Sequence, residues 1–234
     1  MQEVVPANDF ALVQGLRDTR STLEGWNRAP GPVLKLWVLG SLAISVALLG
    51  TVWVVASLIT PDPTPIFLPG LYGEPTGAVD VLRVIGRNSL VLALHAMACV
   101  AGFIAGSSLP MTAQRYSGAW RWVHDKAGPL AIAFVICATT FSLVTQAYVL
   151  GGGAATLAGQ LGMSPAELLA TLLPHALPEL VALFLPLAAW IIASRRAQWN
   201  QLLAATFVTV ALAVPVLVIS ALVEVFVWPR LLVG

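Results

Sequence analysis

Charge is the scarcest feature of this chain. Only 10% of its 234 residues are Asp, Glu, Lys or Arg, against 58% hydrophobic, where a soluble domain carries about 25% charged residues to keep its surface in water. The mean hydropathy is +0.86, and several long windows hold almost no charge. That excludes a water-facing globular domain and points to lipid as the main solvent. A formal net charge of +1 offers no basic stripe, so nucleic-acid binding is not expected. Cysteine is nearly absent. Cys99 and Cys137 both sit in apolar runs, which suits small hydrophobes and excludes a disulfide framework. Residues 1–28 lack a short apolar stretch followed by a small-residue cleavage site. The first apolar span is therefore expected to serve as the insertion signal.

Catalytic motifs are missing too. The chain has no phosphate-cradling Gly-rich loop, no His-Glu-x-x-His and no Gly-x-Ser-x-Gly. The expectation is a non-enzyme with no metal and no cofactor.

What is present is a set of long apolar windows. A hydrocarbon core of about 30 Å takes roughly 20 apolar residues as a helix. Five windows meet or approach that length: Leu36–Ile59, Ser89–Leu109, Pro129–Leu150, His175–Ser194 and Leu202–Trp228. They are continuously apolar rather than alternating, so they predict helices and not strands of a barrel. The predicted fold is all-α, a polytopic transmembrane helical bundle of about five spans. Residues 1–35 form an N-terminal segment and residues 36–229 a single membrane domain. Lys and Arg concentrate in the N-terminal tail and in the second and fourth loops, whereas the other side has only Arg83, Arg87 and Arg230. This bias predicts a cytoplasmic N-terminus and an outer C-terminus.

The connections carry signals of their own. Asn8–Trp26 has the pattern of an interfacial helix, with Phe10, Val13, Leu16 and Leu23 to one side; a frayed polar tail is the alternative. Ala78–Gly86 reads as a short helix leading into the second span. Ser164-Pro165-Ala166-Glu167 is a capping box that should start a short helix through Leu173. Gly151-Gly152-Gly153 reads as the end of the third span. Tyr116, Trp120 and Trp122 beside Arg115 and Arg121 suit an interfacial belt, as do Trp199 and Trp228 at span ends. Pro186 and Pro215 are candidate kinks.

Polar groups inside apolar spans are costly and need a partner or a cavity. His175 and Glu179 are four residues apart at the start of the fourth span, on one helix face. Glu224 lies near the outer end of the fifth span, at a depth similar to Glu179, with Arg83 or Arg87 as alternative partners. These residues read either as a proton, ion or substrate site or as structural hydrogen-bonding pairs. His95 and Cys99 share the same spacing in the second span, and a histidine bonded within the core is favoured there over a soft metal site. His124, beside Asp125 and Lys126, reads as solvated. Ala98, Gly102 and Gly106 mark a small-residue face for close helix packing, within the chain or across a homodimer.

Three stretches resemble the stage II sporulation protein M family of integral membrane proteins. They are Arg87-Asn88-Ser89 before a Gly-containing span, Pro174-His175-Ala176-Leu177-Pro178-Glu179, and Val223-Glu224-Val225-Phe226-Val227-Trp228-Pro229. The resemblance covers roughly residues 85–229. Ala176 stands where the family pattern has Gly, and Ser89 where a second Asn is common. The resemblance implies a multi-span architecture and weight on Asn88, His175, Glu179 and Glu224. It further implies a non-enzymatic scaffold or assembly subunit of a cell-envelope complex, with the lipid bilayer and other envelope proteins as partners, in a bacterial or archaeal inner membrane. A channel or transporter component with its polar site at His175, Glu179 and Glu224 is the alternative. A metal-dependent intramembrane hydrolase is the weakest reading, because no set of three protein ligands can be named.

Overall fold

Continuously apolar sequence with few helix breakers satisfies its own backbone most readily as helix, and that is the outcome. The computed structural model describes residues 11–66, 76–114 and 116–233; Asn8, Phe10 and Arg115 lie outside the described residues. The order is α1 (Ala11–Arg28), α2 (Pro30–Leu58), α3 (Ala78–Phe103), a π-helical turn (Ile104–Ser108), α4 (Leu109–Ala113), α5 (Gly118–Leu161), α6 (Pro165–Arg195), a 3-10 turn (Trp199–Gln201), α7 (Leu202–Leu222), a second π-helical turn (Val223–Val227) and α8 (Trp228–Val233). The protein is all-α. Five helical stretches, of 29, 36, 44, 31 and 34 residues, are long and apolar enough to cross a membrane, each exceeding the roughly 20 residues a bilayer requires. The fourth is the most enclosed: 61% of its apolar window is buried, against 11% for the third. A helix that is apolar all round belongs at the centre of its packing.

The helices are longer than their apolar windows suggest, and three sequence expectations are corrected. Gly151-Gly152-Gly153 does not end α5, which runs on to Leu161. A Cβ at Gly151 would collide with Val55 and come within 3.2 Å of the Val52 carbonyl oxygen. That glycine is therefore a seat for α2 and not a cap. The true end is Gly162, with φ +66, where Met163 N–H donates to the Ala158 carbonyl at 3.0 Å, the closing pattern that favours glycine. Second, the capping box forms as expected, with Ser164 N–H donating to Glu167 Oε2 at 2.7 Å and Glu167 N–H to Ser164 Oγ at 3.2 Å. The helix it starts does not stop at Leu173, however, but continues through Pro174 and Pro178 to Arg195. Third, Ala78–Gly86 is the first part of α3 and not a separate element.

Both π-helical turns precede a proline. Leu109 N–H reaches the Ile104 carbonyl and Trp228 N–H the Val223 carbonyl, a five-residue step in each case. Pro110 and Pro229 follow one residue later. A proline ring clashes with the carbonyl four residues back and supplies no N–H, so widening the preceding turn accommodates it.

The described residues group into two units, and each long apolar helix contributes to both. Unit 1 comprises, of the described residues, 11–40, 93–114, 116–138 and 185–211. Its apolar centre is Trp37, Leu185, Ala189 and Ala205, with Trp26, Val33 and Ile192 against it. Trp26 and Trp37 meet edge to face, centroids 5.0 Å apart at 86°. Amphipathic α1 lies close over this unit: a Cβ at buried Gly15 would come within 2.6 Å of the Phe103 ring. Leu16 next to it is 61% exposed, on the side away from that contact.

Unit 2 comprises, of the described residues, 41–66, 76–92, 139–184 and 212–233. Here Ser41 Oγ donates to the Val181 carbonyl and Ser45 Oγ to the Ser41 carbonyl at 2.8 Å. The segment after α2 is strapped to α5. Asp62 N–H donates to Thr156 Oγ1 at 3.0 Å, Gln160 Oε1 accepts from Ile66 N–H at 3.1 Å, and Gln160 Nε2 donates to the Thr64 carbonyl at 2.9 Å. Within the strap, the Thr64 N–H and hydroxyl hold the exposed Asp62 carboxyl below the usual carboxylate range.

Candidate functional site: an acidic cavity in unit 2

Helical spacing brings His175 and Glu179 to one face of α6, and the first half of α3 brings Arg87 and Asn88 to meet them. The π-helical turn supplies Glu224. Arg87, His175, Glu179 and Glu224 all line one cavity of about 330 Å³, whose remaining wall is mostly leucine and valine. Arg87 Nη2 stands 3.7 Å from Glu224 Oε1, which selects Arg87 from the two alternatives. Arg83 is instead paired with Asp80 at 3.2 Å. Glu179 is 9% exposed and Asn88 3%; Asn88 lies beside the Glu179 carboxyl, and the charges of Glu179 and Glu224 are close enough to interact. The Asn88 amide therefore offers its N–H donor to the acid it lies beside. His175 packs its ring against Trp228, centroids 5.8 Å apart.

The cavity has a simple charge balance. Two carboxylates face it and one guanidinium answers them. With both acids ionised and His175 neutral it carries one uncompensated negative charge in a wall of low polarity, where Coulomb interactions are far stronger than in water. A proton on either acid or on His175, or one monovalent cation, restores neutrality. Among the described residues no group of three His, Cys, Asp or Glu is arranged to hold a metal ion.

The other sequence candidates go elsewhere. Cys99 Sγ donates to the Pro186 carbonyl at 3.1 Å in unit 1, and His95 is buried there at 1% exposure. Ala98 is buried on the same helix. A Cβ at Gly102 would come within 2.7 Å of the Trp190 indole nitrogen, and one at Gly106 would run into the Trp199 ring. The small-residue face thus seats two tryptophans of the same chain. Trp199 and Trp228 are not simple interfacial anchors: Trp199 covers Gly106, while Trp228 is 5% exposed and donates from Nε1 to Thr171 Oγ1 at 3.3 Å. His124 is not simply solvated either. It stacks on Tyr116 at 4.8 Å, and its Nδ1 lies 2.8 Å from the Trp120 carbonyl. Sequence reasoning missed the widened turn that carries Glu224; the signal was Pro229, five residues on, which a continuous α-helix accommodates poorly. Comparison with known protein families, with curated proteins and with solved structures gives no match for this chain.

Proposed function

We propose that the protein is a multi-pass membrane transport component whose cavity in unit 2 takes up a proton or a monovalent cation. The observation that carries this reading is that Glu179 and Glu224 line one cavity with a single arginine. Buried intramembrane acids are expensive, and they occur mainly where charge must be bound or passed. In this reading Glu179 is the binding acid and Asn88 a donor beside it. Arg87 holds Glu224 in place and limits the net charge to one. In this reading the chain makes and breaks no covalent bond. The distribution of Lys and Arg supports an N-terminus in the cytoplasm and a C-terminus outside.

The test is cation and proton flux in proteoliposomes holding the purified full chain. Wild type should exceed empty vesicles, and Glu179→Gln should lose most of that flux while eluting as the same folded species. Wild-type flux equal to that of empty vesicles would remove the transport reading. A second reading then takes its place, a scaffold of an envelope complex, supported by the resemblance of Pro174–Glu179 and Val223–Pro229 to the stage II sporulation protein M family. Its mark would be loss of a co-purifying membrane partner on Glu179→Gln or Glu224→Gln.

A further inference from the structure

We infer that unit 1 carries a binding site for one anionic glycerophospholipid, with its acyl chain between Trp26, Val33 and Trp37 and its phosphate at Arg196, Gln198 and Gln201. Two cavities meet there. One of about 440 Å³ is walled mainly by apolar side chains, Leu34 and Val208 among them. The other, of about 150 Å³, ends on Arg196, Gln198 and Gln201. Both are lined by Trp26, Val33 and Trp37, so an apolar slot opens into a pocket rich in hydrogen-bond donors.

The chemistry of the two ends names the occupant. A guanidinium and two amides that line one pocket offer N–H donors, which suits a phosphate diester. Arg195 and Arg196 make no ion pair with a carboxylate among the described residues, so no described acid answers the positive charge at this end. Glu24 is the acid on the larger cavity, and Arg20 engages it at 3.0 Å, which lowers its repulsion of an anion. The slot is shaped by the fold. Ala197, φ +53, turns the chain sharply after α6, and Gln198 N–H closes back on the Ala193 carbonyl at 2.9 Å. That closure puts Arg196, Gln198 and Gln201 on either side of one turn. Basic pockets between helices at the membrane surface are where anionic headgroups are recognised, and paired tryptophans suit the headgroup level. Bilayer lipid is the one solute present there at high concentration. This site is independent of the acidic cavity in unit 2.

Native mass spectrometry of the detergent-purified full chain, titrated with phosphatidylglycerol or with phosphatidylcholine of the same acyl chains, tests the inference. One phosphatidylglycerol should be retained several-fold more tightly than phosphatidylcholine. Arg196→Gln should reduce that preference about fivefold. Val208→Phe, which fills the slot and leaves the donors intact, should weaken retention of both lipids and serves as the second variant if Arg196→Gln fails to elute as a folded species. Equal retention of the two lipids by wild type would overturn the inference. So would full displacement of phosphatidylglycerol by glycerol 3-phosphate, which would mark a free-phosphate site. Appearance of the adduct only after removal of residues 2–10 would make the chain's own N-terminus the occupant, and a protein dimer in place of the adduct would make it a second copy; either result also overturns it.

Discussion

His95 with Cys99 in unit 1 and His175 with Glu179 in unit 2 are the same signal in sequence: an ionisable or soft side chain on each of two residues one helical turn apart, inside an apolar span. The structure treats them differently. The first pair is packed away, with the thiol donating to the Pro186 carbonyl and no cluster around it able to hold a metal among the described residues. The second pair borders a cavity and is joined there by Glu224 and Arg87 from other helices. Spacing on one helix therefore does not define a site. What separates a pair packed in the core from a candidate site is whether neighbouring helices bring unmatched charge to the same space.

Substitutions can break or sharpen this contrast. The largest effect is expected for Glu179→Gln, which should cut proteoliposome flux by at least about tenfold, because a neutral amide cannot take up the proton or cation that the carboxylate is proposed to bind. Next comes packing in unit 2. Gly151→Leu should destabilise by about 1–3 kcal/mol, read as a lower midpoint of thermal unfolding in detergent, since the Val52 carbonyl cannot yield. A side chain at Gly152 would meet nothing within 4 Å of its Cβ, so Gly152→Ala should stabilise by about 0.5–1 kcal/mol, read as a higher midpoint. If both glycines respond alike, the seat assigned to Gly151 is wrong. In unit 1, Cys99→Ala should cost about 1 kcal/mol for a lost buried hydrogen bond and a small void, with flux unchanged; loss of flux there would erase the distinction between the two pairs. The smallest effect concerns helix ends. α5 closes on Gly162 and α6 on Ala197 with the same left-handed geometry, so Ala197→Gly should stabilise by about 0.5–1 kcal/mol and Gly162→Ala should do the reverse.

Much of the fold was legible because lipid imposes one rule, that each span satisfies its own backbone, and five apolar windows obey it. Helix ends were less legible. Gly151-Gly152-Gly153 looks like punctuation when only local propensity is considered, but Gly151 is used for approach by Val52 and Val55, and no local pattern reports a contact so distant along the chain. Pro174 and Pro178 likewise suggest a break, yet α6 runs through both without interruption, since packed neighbouring helices in a membrane bundle tolerate prolines inside a span. For the candidate site, sequence supplied the residues, and the resemblance supplied Asn88. It did not supply azimuth: that Arg87 rather than Arg83 answers Glu224 depends on the rotation of α3 and on the widened turn before Pro229. Trp199 and Trp228 show the same limit, since span-end position alone cannot separate an anchor in lipid from a ring packed on Gly106 or His175.

The account rests on Glu179 and Glu224 facing one cavity. Cross-linking tests it most directly. In a background of Cys99→Ala and Cys137→Ala, the pair Glu179→Cys and Glu224→Cys should be joined within one chain by a short bifunctional thiol reagent, shifting mobility on a denaturing gel. Glu179→Cys with Phe141→Cys should not join, because the Phe141 side chain of the same unit is exposed and lines no part of the cavity. Failure of the first pair to join, with each thiol separately reactive, would contradict the shared cavity and the function proposed from it.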